Sequence, residues 1–455
     1  ATSFEGSGAN LTNLPPGGNE FTAVADGAIA NDKAIKINSN GKVSQIKISS
    51  TALTPPTAIR NNTGYASGWG GCEALVASYV VSGTTYLLVL SAGSNTIRAR
   101  LDKLNSSRSD WTQNGTSLQF QSWQTYYLSA IFNRVENKAA IFYGEDSGGQ
   151  DSYCRVITPN TATSPPTCLA GSAQSYTGYA SNRSRYLQSV WDDNINSSYG
   201  RGIVGWLNCS DGNSQNWHLE YNTFAMGPYN SGNMNTFSFE TTAGTNMNIF
   251  NTTNAVKAEE WQMTGCGSGR FLVIARREDG GATDNETWFR MGTIESGSNS
   301  TTWGSTGSSF STYFYRYHRI CYDESSGKVI MIANVNGANE LMSFVGTISG
   351  SGSSLSISWG SGVQVWNAFD PNTFRSNGCP KYDLVYDPSQ SKIMFVLPDP
   401  TGTTYIKTRV ATISGTSLSW STTQDVTLTG GGNNIILNSS AVNGRVFLVT
   451  DNGST

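Results

Sequence analysis

The sequence predicts an all-β fold: a seven-bladed β-propeller of four-stranded antiparallel blades, preceded by a short N-terminal arm. Three observations predict it. A four-strand meander is written out plainly at 382–420, its second strand recurs along the chain, and the composition suits turn-rich β structure.

In the meander a strand-like run ends in Tyr386-Asp387, a polar turn of Pro388, Ser389, Gln390 and Ser391 follows, and KIMFVL (392–397) returns the chain. Such a pair is an antiparallel hairpin. YIKTRVATI (405–413) then alternates in period two, and the Ser414-Gly415 turn leads to Leu418-Ser-Trp420. The unit recurs upstream as Tyr322-Asp323, a turn, KVIMI (328–332), a strand over 341–348, Ser349-Gly350, and a run ending in Trp359. Taking 85, 138, 201, 270, 328, 392 and 445 as second-strand starts gives intervals of 53, 63, 69, 58, 64 and 53 residues. Seven units of that length suit a seven-bladed propeller. A pair of β-sandwiches and a β-solenoid are the competing folds, and such uneven intervals argue against stacked coils. Trp303, Trp359 and Trp420 recur at the fourth strand and read as blade packing.

At 455 residues the chain has ample material for a large core, and charged residues make up only 13% of it. Aromatics at 11% argue against disorder. The net charge of −3, with no cluster of Lys or Arg, argues against nucleic acid as a partner. No apolar run approaches a membrane span, and no basic-then-apolar leader opens the sequence. Seven widely spread cysteines and two histidines, His218 and His318, match no zinc spacing. Cys154 and Cys168 are near enough in sequence for a disulfide, but the odd total favours free, buried cysteines.

Three regions follow. Residues 1–20 are polar and turn-rich and read as an arm. Residues 21–50 contain two short strands around Asn40-Gly41, a strong hairpin signal. Residues 51–455 hold the repeats without a composition break. The last repeat shows only two strands, near 434–437 and 445–449, and bare sheet edges are avoided. Strands at 34–37 and 42–48 are therefore expected to close the last blade, so that deleting 30–50 lowers thermal stability.

Two patterns carry a family resemblance. One is FTAVADGAI (21–29), an apolar strand, the Asn40-Gly41 turn and Val43-Ser44; the other is Tyr322-Asp323-x4-Lys328-Val329 with GTIS (346–349) and Leu355-Ser356. Together they resemble the structural proteins of tailed bacteriophages, especially marine ones. The resemblance implies a non-enzymatic virion protein at the particle surface, a fibre, knob or capsid decoration. It would bind host-surface glycan and meet other virion proteins through the N-terminal arm, alone or as a homo-oligomer. Two other functions fit the same fold: a propeller glycosidase or lyase acting on host polysaccharide, and a bacterial surface lectin.

Candidate residues follow from the same reading. Tyr65, Trp69, Tyr176, Tyr179, Trp191 and Tyr229, in loops among Asn and Ser, form the kind of surface on which sugars stack, and are the expected glycan contacts. Asp192-Asp193-Asn194 with Asn196, and Glu145-Asp146 with Asp151, offer oxygen ligands for Ca²⁺, although acidic turn residues more often cap a loop. No metal or cofactor is expected. The stretch 210–217 keeps the end residues of a sialidase Asp-box but misplaces Asp211 and Gly212. Asp279 with Glu286, and Glu259 with Glu260, are carboxylate pairs without a supporting pattern. Ser/His/Asp chemistry would rest on His218 or His318, and His318 lies in an aromatic strand where a structural histidine is expected. No catalytic residue is assigned.

Overall fold

A computed structural model describes residues 35–37 and 43–45 and, between 74 and 451, the strands and their shorter connections. The chain divides into two compact units, Ala1–Ala52 and Leu53–Thr455. In the first, Ile35–Ile37 pairs antiparallel with Val43–Gln45, and the expected Asn40-Gly41 turn between them lies outside the described residues. The 1–20 arm lies outside the described residues.

The second unit is a β-propeller. Among the described residues, six sheets each run as a meander of three full strands closed by two short outer strands that share the edge of the third. Blade 3, for example, consists of Ser184–Asp192, Arg201–Asn208 and His218–Met226, with Phe237–Phe239 and Thr245–Asn246 outside. Blade 4 consists of Ala255–Gly265, Arg270–Glu278 and Thr287–Ile294, and blade 5 of Tyr315–Asp323, Lys328–Val335 and Leu341–Ser349. All seven expected positions fall at the start of a second strand. The blade count differs from the expectation: six sheets have four or more strands, and the seventh repeat is a two-stranded hairpin, Ile435–Val442 with Arg445–Asp451. The described residues of that repeat form these two strands. First strands of neighbouring blades touch in order, and Ile435–Val442 lies against the first strands of blades 6 and 1.

Second strands are buried on both faces, which explains their continuous apolar runs. Arg201–Asn208 is buried throughout, and Val329 to Ala333 are fully inaccessible. Third strands such as Thr287–Ile294 alternate. Each apolar seam lies between adjacent blades; Phe271 and Val273 of blade 4 meet Ile203 and Leu219 of blade 3. Each such side chain removed from water contributes about 1.5–3 kcal/mol. Trp303 stands edge-on to Phe271 at 5.2 Å, and Gly292 is needed beneath that ring, because a Cβ there would lie 2.4 Å from it. The tryptophans at 303, 359 and 420 thus serve blade packing, as expected.

Neighbouring blades are also latched by one repeated hydrogen bond. At matching third-strand positions Asn222 donates to the Tyr176 carbonyl, Arg290 to that of Met247, and Arg409 to that of Val365. Each acceptor belongs to the outer edge of the preceding blade. Arg290 and Arg409 also lie over Trp303 and Trp420.

The turns joining first and second strands come together at one end of the ring. Gly269 N–H donates to Asp192, Arg134 N–H to Asp193, and Asp323 accepts from Ser325, Ser326 and Tyr386. We call this the hairpin end and the opposite one the loop end. Cys154, Cys168, Cys266 and Cys321 are free and buried, so Cys154 and Cys168 are not bridged. Burial, with Asp102 nearby, pushes the Cys168 thiol up to about 12.

Candidate functional site

Polar and titratable side chains gather at the loop end of blades 3, 4 and 5, where packing alone asks for none. Two arrangements build this region. The first is a bulge on the first strand. The register slips between Arg185 and Gln188 in blade 3, between Val256 and Trp261 in blade 4, and between Arg316 and Arg319 in blade 5. A bulge re-aims side chains near a strand end. The matching position holds Leu187 in blade 3, Glu260 in blade 4 and His318 in blade 5, all buried. The preceding residues Tyr186 and Tyr317 take φ of +50° and +54°, a region aromatic side chains rarely adopt.

Two of the bulges are braced. In blade 4 one terminal nitrogen of Arg276 reaches both oxygens of Glu260, at 2.7 and 2.8 Å, with both residues at least nine-tenths buried. In blade 5 the Tyr317 carbonyl accepts from the buried Tyr382 hydroxyl, while Arg319 donates to the Tyr382 carbonyl at 3.1 Å and lies 3.7 Å from Asp383.

The second arrangement lies on an unbroken strand pair in blade 3. His218 and Glu220 are two apart on the third strand and therefore share a face; Trp206 and Asn208 do the same on the second. The register sets Trp206 opposite Glu220 and Asn208 opposite His218. Glu220 consequently accepts from Asn208 at 2.8 Å and Trp206 at 3.1 Å, and its Oε1 lies 3.1 Å from His218 Nε2. The carboxylate side chain is 12% exposed and the imidazole 39%. Burial alone would raise the Glu220 pKa. The hydrogen bonds from His218 and Asn208, the neighbouring imidazole charge and the Trp206 indole outweigh it, so the carboxyl titrates below its usual range. An ionised carboxylate holding a solvent-reaching imidazole is a proton-transfer arrangement.

The expected glycan contacts are placed differently. Tyr176 is buried, edge-on to Phe142 and Trp206, and offers no exposed ring face. Trp191 is half-buried on Phe224 at the hairpin end, its indole N–H donating to Asp193 at 2.6 Å. Tyr65, Trp69, Tyr179 and Tyr229 lie outside the described residues. Of the Ca²⁺ candidates, Asp192 and Asp193 accept from backbone and indole N–H groups and lock turns. Glu286 accepts from Trp288, whereas its suggested partner Asp279 is outside the described residues. His318 is buried in its strand, as expected of a structural histidine. Neither the His218–Glu220 contact nor the Glu260–Arg276 pair stood out in the sequence. The signal for the first was present, His-x-Glu facing Trp-x-Asn, but it has meaning only once the register is known.

The fold and its polar loop end define the class: an all-β propeller of four-stranded antiparallel blades with an acid–base cluster on one end. No family model matches the chain, and no curated protein matches it. Similar solved structures include a polysaccharide lyase at 10% identity and TM-score 0.44, covering 90% of this chain and 92% of that one. Another is an α-L-arabinofuranosidase from Fusarium graminearum in complex with an iminosugar inhibitor, at 8% identity and TM-score 0.40, covering 78% and 92%. A third is an exo-β-1,3-galactanase from Phanerochaete chrysosporium with galactose, at 12% identity and TM-score 0.31, covering 88% and 93%. The expectation of a non-enzymatic virion protein, with its fibre, decoration and host-attachment roles, is corrected by this comparison. These neighbours are carbohydrate-active enzymes and none is phage-related. Likeness of this degree transfers no activity or substrate to the chain.

Proposed function

We propose that the protein is a propeller enzyme that cleaves polysaccharide, as a glycosidase or lyase, with His218 and Glu220 moving the proton. One observation carries the reading: a partly exposed imidazole held by a buried carboxylate whose pKa is held down by three side-chain donors. His218 takes a proton and Glu220 stabilises the imidazolium that forms. In hydrolysis the proton leaves a water whose oxygen bonds to the anomeric carbon as the glycosidic C–O bond breaks, its electron pair passing to the leaving oxygen, which takes a proton from solvent water. In elimination it leaves the ring carbon beside a uronate carboxyl, as C=C forms and the C–O bond breaks, and the departing oxygen likewise takes a proton from solvent water.

The test is incubation of the full chain with laminarin, xylan, galactan and polygalacturonate, reading reducing ends and the ultraviolet absorbance of unsaturated products. New reducing ends that His218→Asn and Glu220→Gln both suppress support the reading. Absence of cleavage on all four, or cleavage that both variants retain, removes it.

A further inference from the structure

We propose that the loop end of the seam between blades 3 and 4 is a sugar-binding subsite for a neutral glycan, formed by Trp288, Glu286 and Arg277 with Tyr186 across the seam. This deepens the polysaccharide-cleaving reading above and rests on it for the identity of the substrate, and it favours hydrolysis over elimination.

Trp288 follows the loop into the third strand of blade 4, opposite Ala275, and Tyr186 occupies the first-strand bulge of blade 3. Both rings are only partly buried, and both pack on the apolar cluster that joins these two blades. Each therefore has one region anchored and another facing outward. Tyr186 holds a left-handed backbone that costs on the order of 1–3 kcal/mol, and strain of this kind persists where the surroundings fix it, commonly at ligand sites.

The polar groups beside Trp288 are fixed as well. The indole N–H donates to Glu286 Oε2 at 2.8 Å, Arg277 Nη1 lies 3.8 Å from the same oxygen, and the Arg277 backbone N–H donates to the Glu286 carbonyl at 2.9 Å. These contacts immobilise the carboxylate, which is 27% exposed, and none of them uses Oε1. An accepting oxygen at the border of an aromatic face matches a sugar ring: its C–H face stacks on Trp288 while an adjacent hydroxyl donates to Glu286 Oε1. The two charges cancel locally, so a uronate would meet Glu286 without net attraction, whereas a neutral ring loses nothing.

The test separates binding from turnover by using the His218→Asn protein as the parent. Affinity gel electrophoresis is run with laminarin, xylan, galactan and polygalacturonate in the gel. Retardation by at least one neutral glycan is expected, weakened about tenfold by Glu286→Gln, which loses the charged acceptor, and by Trp288→Phe, which loses stacking area and the indole N–H that fixes Glu286. Trp288→Phe keeps a packing ring and Glu286→Gln keeps the shape, so at least one variant folds for comparison. Unchanged affinity in both variants, retardation by polygalacturonate alone, or none at all overturns the subsite. Binding by a chain whose His218 form cleaves nothing leaves the subsite standing and removes the reaction. Cleavage unaffected by Glu286→Gln does the reverse.

Discussion

Glu220 and Glu260 sit at the same end of adjacent blades, yet their surroundings oppose one another. Glu260 lies in a bulge, both oxygens taken by one nitrogen of Arg276 and both partners shut away from water. Glu220 lies on a regular strand pair, shared among an indole, an amide and an imidazole that reaches solvent. A buried guanidinium clamps both oxygens of Glu260, whereas three neutral or solvent-reaching side chains share Glu220. A carboxylate clamped by a buried guanidinium is fixed in charge and geometry. A group with several partners, one of them exposed, exchanges a proton without losing its place. The difference assigns Glu260 to holding the bulge and Glu220 to chemistry.

The largest effect should come from breaking the rigid pair. Arg276→Met leaves a buried carboxylate without its guanidinium and should cost about 3–5 kcal/mol in denaturant unfolding, whereas the double variant Glu260→Leu/Arg276→Met should recover most of that loss. A single-variant cost below about 1 kcal/mol would show that water reaches Glu260 and erase the contrast. Next in size is His218→Asn, which keeps an amide donor toward Glu220 but cannot take up a proton. It should lower kcat about a hundredfold, at the low end for a lost general base, with little change in KM or melting temperature. A melting shift as large as that of Arg276→Met would mean that His218, too, is structural.

Much of this fold is legible in the sequence, and the site is not. Positions such as Arg270, Lys328 and Lys392 open second strands because a turn hands over there to a run buried on both faces, a pattern that survives in one dimension. The bulges leave no such trace, since the residues from 257 to 260 look like any polar stretch until Arg276 is seen opposite them. Tyr176 reads as a loop aromatic because Gln174–Ser175 is too short to announce a strand; yet that half-length outer strand turns the ring into the seam of blades 2 and 3. His218 was visible as one of two histidines, but its partners Trp206 and Asn208 arrive by pairing register, which local sequence does not encode.

A smaller effect separates the two carboxylates by pH. The folded-state pKa of Glu220 lies below the unfolded one, so its contribution to stability is complete above the ordinary value of 4.5 and is lost as pH falls through the folded value. The melting temperature of the wild type should therefore exceed that of Glu220→Gln at neutral pH, and the gap should close in acid. A gap constant with pH would mean that Glu220 is not ionised in the folded protein.

The smallest effect tests the sharing itself. Asn208→Ala removes the shortest of the donors to Glu220, yet the indole and imidazole remain, so the cost should be about 1–1.5 kcal/mol, well under that of Arg276→Met. The same substitution relaxes the carboxyl toward its ordinary pKa, which moves the acid loss of stability to higher pH. Both shifts should appear in one series of melts across pH, with His218-dependent turnover retained. If Asn208→Ala instead destabilises as strongly as Arg276→Met, the three donors act as a single unit, and Glu220 is held as rigidly as Glu260.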